Sequence, residues 1–125
     1  MGFMGLSHFH DSDEASDFAH VINEKYLKML VRELKKETKR QTNEFNTPGW
    51  INSVLYLEAF ILPSLDDISY YKSFQEGIIP LAKKLGEVLE KVLETCAEDE
   101  ESAEFITDFK RMKGNVDKIL ATEEA

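Results

Sequence analysis

The stretch that decides the fold is LAKKLGEVLEKVLETC, residues 81–96. Apolar residues recur in it every three or four positions and charged residues fill most positions between them, which is the pattern of an amphipathic helix with one buried face. A stripe of this kind packs either inside its own bundle or against a second copy of itself, and base rates favour packing inside. The apolar positions are Leu81, Leu85, Val88, Leu89, Val92, Leu93 and Cys96.

A long helix is predicted to begin at residue 13 and to end near residue 42. Ser12 can accept a hydrogen bond from a free amide of the first turn, and the acids at positions 13, 14 and 17 lie where the helix dipole is positive. Lysine and arginine crowd the other end, where the dipole is negative. The apolar residues that recur at helical spacing between the two ends are Phe18, Ile22, Tyr26, Met29, Leu30 and Leu34.

The segment Trp50–Leu62 is predicted to be the central helix, because nearly every side of it is apolar. Pro48 stands at the first helical position, where its missing amide costs nothing, and Pro63 is expected to end the helix. A further helix follows, in which Pro80 predicts a kink. One last amphipathic helix is predicted over residues 105–120.

Length and composition predict a single all-α domain over residues 1–125. We expect a compact bundle of four or five helices, with an irregular N-terminal loop over residues 1–12 and a frayed tail over residues 122–125. Hydrophobic residues make up 42% of the chain, which is enough to offset the entropy of ordering it. The lone Cys96 cannot form an internal disulfide, and the start of the chain lacks the pattern of a secretory signal, so we expect a cytoplasmic protein.

The charge of the chain favours a protein partner over nucleic acid or membrane. The net charge is −9, and residues 61–125 carry 15 acids against 8 bases. Such a surface repels phosphate backbones and anionic lipid, and no apolar stretch is long enough to span a bilayer. A partner with a basic surface is therefore expected.

An acidic run in the second half of the chain is the predicted partner-binding site. Runs of this kind are usually solvated loops or helix starts. Held on a rigid helical frame, however, they imitate the charge spacing of a nucleic acid and occupy the basic groove of a partner protein. The residues of the run are Glu98, Asp99, Glu100, Glu101 and Glu104.

Histidines and aspartates cluster near the start of the chain and suggest an alternative site for a small ligand or a metal ion. Imidazole and carboxylate together suit zinc and other transition metals, although the spacing matches no strong signature. Capping and dipole complementarity at the helix start account for the acids without any ligand. The residues concerned are His8, His10, Asp11, Asp13 and His20.

No catalytic motif is visible, so we predict a protein that is not an enzyme and needs no cofactor. There is no phosphate-cradling glycine loop, nucleophile elbow or zinc-finger spacing. Glu58 stands alone in an apolar helix, where pairing with a basic residue of the first helix, or exposure, is expected rather than catalysis. Cys96 continues an apolar stripe beside acids, which raise the pKa of a thiol, so it is expected to be inert.

The opening MGFMGLSHFHDSDEASDF resembles the start of small uncharacterised proteins from tailed bacteriophage genomes, in which a Gly-rich entry and Ser-His precede an acidic block ending in Phe or Trp. The resemblance covers the first 18 of 125 residues, with the acidic block at residues 12–18. It implies a phage accessory protein and brings no catalytic residues. It also implies host takeover or counter-defence by binding a host protein.

Three hypotheses follow. The first is a non-enzymatic inhibitor that binds a basic host protein through its acidic face. The second is a small-ligand or metal-binding domain that uses the N-terminal histidines and aspartates. The third is a structural homo-oligomer whose contact is formed by Leu81, Leu85, Leu89 and Val92.

Overall fold

The computed structural model describes residues 13–41, 47–98 and 103–124, and every regular element within these ranges is helical. The prediction of an all-α bundle is confirmed. The predicted N-terminal loop over residues 1–12 lies outside the described residues. The α-helices are α1 (Asp13–Lys39), α2 (Gly49–Tyr56), α3 (Leu65–Ile68), α4 (Ile79–Glu98) and α5 (Ala103–Leu120).

A π-helical turn and a 3-10 turn connect α2 to α3, and a second π-helical turn leads into α4. The π-helical turn Leu57–Ile61 extends α2 directly, and the 3-10 turn Leu62–Ser64, which contains Pro63, follows it. A second π-helical turn, Phe74–Ile78, runs straight into α4, and Pro80 is the second residue of that helix. A π-helical turn thus directly precedes Pro80, whose ring nitrogen cannot donate the bond that a regular helix needs, and the kink expected there stays a prediction.

Helices α1 and α2 form an antiparallel pair. Near the end of α1, Glu37 accepts a hydrogen bond of 2.9 Å from the side-chain amide of Asn52, near the start of α2. Further back along α1, the Tyr26 hydroxyl lies 3.4 Å from the Tyr56 hydroxyl at the end of α2. The later contact on α2 thus meets the earlier residue of α1, so the two helices point in opposite directions.

Helices α4 and α5 form a second antiparallel pair, and this is the most extensive helix contact in the described chain. Lys113 in the middle of α5 lies 3.6 Å from Glu90 in the middle of α4. Beyond the end of α5, Glu123 pairs with Lys83 at the start of α4. The π-helical turn Phe74–Ile78 contacts both α1 and α4 and so joins the two pairs into one bundle.

The apolar stripe of α4 faces the inside of this bundle. Leu85 and Leu89 are fully buried, and Leu81 is 4% exposed. Val92, further along, is half-buried. Three of the four contact residues of the third hypothesis thus belong to the core of their own chain, which favours packing inside the bundle, and homo-oligomerisation stays a prediction.

A polar link joins α1 to α2 within this core. Ser53 is fully buried, and its hydroxyl donates to the Leu34 carbonyl at 3.2 Å. The Thr38 hydroxyl donates to the same carbonyl at 2.7 Å and lies 2.7 Å from the Ser53 hydroxyl. Every buried side-chain nitrogen and oxygen of the described residues has a hydrogen-bond partner, as a stable interior requires.

Two glycines allow backbone segments to approach α1 closely. A Cβ placed on Gly49 would stand 1.7 Å from the Glu37 carbonyl oxygen, and the Gly49 amide donates to the Arg40 carbonyl at 3.1 Å. A Cβ on Gly77 would stand 2.7 Å from a methyl carbon of Val31. A Cβ at either position would require its neighbour to move, so both glycines help to set how closely α1 packs.

The first half of α1 differs from the prediction. Leu30 and Leu34 are buried as expected, but Phe18 is 68% exposed, and Ile22 and Met29 are 46% and 44% exposed. At 100° per residue, positions 18, 22 and 29 fall within about 40° of one another and on average about 120° from Leu30 and Leu34. The helix is therefore apolar on two faces, and the single stripe inferred from spacing is wrong.

Residues 122–124 are tied to the bundle, which differs from the frayed tail expected there. The Gln75 side chain donates to the Thr122 carbonyl at 2.9 Å and accepts from the Glu124 amide at 2.9 Å. Lys83 pairs with Glu123 beside them. One glutamine side chain therefore supplies partners for two backbone groups that follow α5.

Candidate functional site

Acidic residues are concentrated where α4 meets α5. Residues 90–108, called here the acidic tip, contain eight acids and one base. Of the predicted partner-binding residues, Asp99, Glu100 and Glu101 lie outside the described residues. Glu98 is the last residue of α4, although its side chain is not described, and Glu104 is exposed in the first turn of α5.

The described acids of the tip point to solvent. Glu94 and Glu104 are exposed and have no ion-pair partner among the described residues. Glu90 is exposed as well, with Lys113 at 3.6 Å, and Asp108 pairs with Arg111 at 3.0 Å. Exposed carboxylates without a cation beside them keep their full negative potential at the surface.

An aromatic side chain accompanies these carboxylates. Phe105 follows Glu104 in α5 and is 49% exposed. Its ring centroid lies 6.4 Å from that of Phe109, which in turn lies 6.1 Å from that of the half-buried Trp50. The aromatic row leads from the edge of the core to the exposed surface of the tip, and the sequence analysis did not single out Phe105 for this position.

Basic residues occupy a different surface, which the sequence analysis did not recognise as a site. Residues 25–40 contain seven bases and two acids, although the chain as a whole carries −9. Their spacing places Lys28, Lys35 and Lys39 on one side of α1. We call this side of α1, together with Lys83 and Lys84 of α4, the basic face.

A cleft of about 420 Å³ lies between α1 and the start of α4 within the basic face. Four lysines, two from each helix, stand around it, with Thr38 and Glu87 also on its wall and Pro80 and Leu81 providing apolar surface. A shallower depression of about 350 Å³ continues along α1 past Lys28 and Arg32. The four lysines are Lys35, Lys39, Lys83 and Lys84.

The predicted histidine and aspartate cluster falls mostly outside the described residues. His8, His10 and Asp11 lie there, and Asp13 begins α1 with a side chain that is not described. The His20 ring lies 4.8 Å from the ring of the buried Tyr71, so it packs against the bundle. Within the part of the chain that the structure describes, no three histidine, cysteine or acidic side chains are grouped so as to hold a metal ion.

Glu58 is paired, but with a different helix from the one expected. Its side chain is 13% exposed and accepts hydrogen bonds of 3.2 Å from two nitrogens of Arg111 in α5. Asn115, one turn further along α5, also donates to it. The ion pair raises the pKa of Arg111. Glu58 therefore ties the π-helical turn after α2 to α5, and all its close partners are structural.

Two other carboxylates bind neighbouring backbone and side chains. The hydrogen bond from Arg40 and a second one from Asn52 lower the pKa of Glu37 to about 2. Burial acts to raise the pKa of Glu24, but hydrogen bonds from the hydroxyl and amide of Ser73 outweigh it and lower that pKa. Both acids hold α1 to its neighbours and stay charged at neutral pH.

Comparison with known proteins gives no match to a family model, a curated protein or a solved structure. Among the described residues, no helix is both long enough and apolar enough to cross a bilayer. The acidic tip and the basic face are charged surfaces of opposite sign in the described part of the chain.

Proposed function

We propose that this protein acts without catalysis, by binding a basic partner protein through the acidic tip and inhibiting it. One observation carries the proposal: eight acids and one base occupy residues 90–108, and the described acids among them are exposed. The tip is joined to the core by two long helices. Among the described residues, Glu90, Glu94, Glu104 and Asp108 are carried on these helices, and charges on a helical frame favour recognition of a complementary surface over loose attraction.

Phe105 strengthens the proposal. Interfaces typically combine a few aromatic anchors with charged residues around them, and the aromatic groups supply much of the binding energy. Phe105 is 49% exposed between Glu104 and the rest of α5, so it can enter a pocket of the partner while the carboxylates meet basic residues at the rim. The charges would then speed and orient association, and the ring would slow dissociation.

The resemblance of residues 1–18 to tailed-bacteriophage proteins supports a bacterial host protein as the partner. A protein that imitates the charge of a nucleic acid would compete for the groove of a nucleic-acid-binding protein. The proposed setting is the cytoplasm of the host cell, and the proposed role is host takeover or counter-defence.

The test is a pull-down from bacterial lysate with three forms of the protein, each at low and at high salt. The tip variant neutralises the five predicted partner-binding acids by Glu→Gln and Asp→Asn replacement. The matched control neutralises five acids elsewhere in the chain in the same way. The tip variant changes Glu98, Asp99, Glu100, Glu101 and Glu104; the control changes Glu14, Asp17, Asp66, Asp67 and Glu76.

We expect one basic protein to be retained by the wild type and the control at low salt, and lost from the tip variant and at high salt. The purified partner should then lose its own activity when the wild-type protein is added. Retention of the same protein by the tip variant would contradict the proposal, and so would a complex that leaves the partner fully active.

A further inference from the structure

We infer that the basic cleft is a binding site for a compact ligand that carries two or three linked phosphate groups. The inference is independent of the acidic tip, because the cleft lies between α1 and the start of α4. Lys35 and Lys39 approach it from one helix, and Lys83 and Lys84 from the other. The volume of about 420 Å³ is that of a small-ligand site.

The lysines of the cleft lack sufficient counter-charge. Lys35, Lys39 and Lys84 have no ion-pair partner among the described residues, and Lys83 has Glu123. Among the described residues that line the cleft, Glu87 is the one acid. Lys35 and Lys39 are four residues apart on one helix, where like charges repel each other. A bound anion would relieve this repulsion, for which Lys35 and Lys39 have no ion-pair partner in the described part of the chain.

The helix dipole does not account for the arrangement. It favours basic residues in the last turn of α1, which covers Lys36 and Lys39. Lys28 and Arg32 lie two or more turns from that end, and Lys84 lies about four turns before the end of α4. The effect of the dipole fades within one turn, so the cations of the two helices share a surface for another reason.

The shape of the charged surface favours a compact ligand over a long nucleic acid. The basic row from Lys28 to Lys39 is about 16 Å long at 1.5 Å per residue. Beyond the cleft, α4 exposes Glu87, Glu90 and Glu94 with Lys91 between them, so the surface there is net acidic and less favourable to an extending phosphate backbone. Among the described residues, those that line the cleft are lysines with Thr38, Glu87, Pro80 and Leu81, so the described part of its wall favours phosphate over a stacked base.

The test is calorimetric titration of the full chain with inorganic triphosphate and, separately, with ATP. Three forms are compared: the wild type, the double variant Lys39→Gln with Lys84→Gln, and a control with Lys110→Gln and Lys118→Gln. All four lysines are exposed, and the control pair lies on α5 outside the cleft. Circular dichroism melting of each form shows that it is folded.

We expect saturable binding to the wild type and the control, weakened at least tenfold in the cleft variant. Equal affinity for triphosphate and ATP assigns recognition to the phosphate chain, and tighter binding of ATP assigns the site to a nucleotide; both support the inference. Absence of saturable binding by either compound would overturn it, as would equal binding by the cleft variant. A 20-nucleotide single strand that binds the cleft more tightly than triphosphate would overturn the preference for a compact ligand.

Discussion

The basic face and the acidic tip are opposite in charge, and they also differ in how firmly the fold holds them. The basic face lies on α1. Two glycines in segments packed against α1, Gly49 and Gly77, let the backbone of those segments come close to this helix. At the tip, Glu94 and Glu104 touch no described cation and extend from the ends of two helices. The positive surface therefore depends on the packing beneath it, whereas Glu94 and Glu104 add charge to the negative surface without pairing with another described residue.

The largest loss of stability is expected from Gly49→Ala, which changes the packing beside the basic face. The added methyl would overlap the Glu37 carbonyl, and because this atom is backbone, α1 and α2 must move apart. We expect a loss of about 3 kcal/mol or more in the free energy of unfolding, measured by urea denaturation. Gly114→Ala is the matched control, since nothing lies within 4 Å of that position. An unchanged stability of Gly49→Ala would show that the close approach is not needed.

A smaller effect is expected from Gly77→Ala, because the clashing group is a side chain. The new methyl would meet Val31, whose branched side chain has few alternative rotamers. We expect a loss of about 1–2 kcal/mol, as for other overpacked cores. In a Val31→Ala background the same change should cost little, because the two groups no longer compete. Equal costs in both backgrounds, measured by a double-mutant cycle, would refute the contact.

The contribution of Glu37 to the stability of the packing around α1 should depend on pH. Its pKa of about 2, below the usual 4.5, means that its stabilising effect is complete above about pH 4.5 and is lost as the pH falls towards 2. The carboxylate side chain is 33% exposed, so we expect Glu37→Gln to cost about 1 kcal/mol at pH 7. The difference between the two proteins should shrink during acid titration followed by circular dichroism. A constant difference down to pH 2 would contradict the assigned ionisation.

The smallest effect is expected at the acidic tip. Replacing Glu94 and Glu104 by glutamine removes exposed charges that repel their neighbours and contact no described cation. We expect a change within about 0.5 kcal/mol, or a slight stabilisation. Thermal melting measures it, and Glu58→Gln, which breaks a paired carboxylate, should be clearly less stable. Destabilisation by the tip replacements as large as that of Glu58→Gln would remove the distinction between the two regions.

Sequence patterns predicted the helices well because periodicity is local. The stripe over residues 81–96 follows from neighbours within a few turns, whereas the Ser12 cap lies outside the described residues and stays a prediction. The faces of α1 could not be assigned in the same way. Phe18 and Ile22 recur at helical spacing exactly as core residues do, and only the packed structure shows that the interior lies on the other side. 

The two candidate sites differ in the same way, since one is local in the sequence and the other is formed by residues far apart in it. The acidic run is contiguous in the chain, so its charge can be read directly, and exposure of Glu104 agrees with that reading. The basic cleft joins Lys39 to Lys84 across 45 positions, and no local pattern brings them together. Lysines that recur every three or four residues along α1 could have predicted a basic surface, but the negative net charge of the chain drew attention to the acidic residues instead. The pairing of Glu58 with Arg111 was missed for the same reason, since it depends on which helices are neighbours.

The order of the helices also has a consequence for folding speed. The most extensive helix contacts join elements that follow one another along the chain, α4 with α5 and α1 with α2. Loops of this length cost little entropy to close, and folds dominated by such local contacts reach the native state in microseconds to milliseconds. Each helical hairpin can form before the two dock, so the chain is expected to acquire both of its charged surfaces rapidly after synthesis.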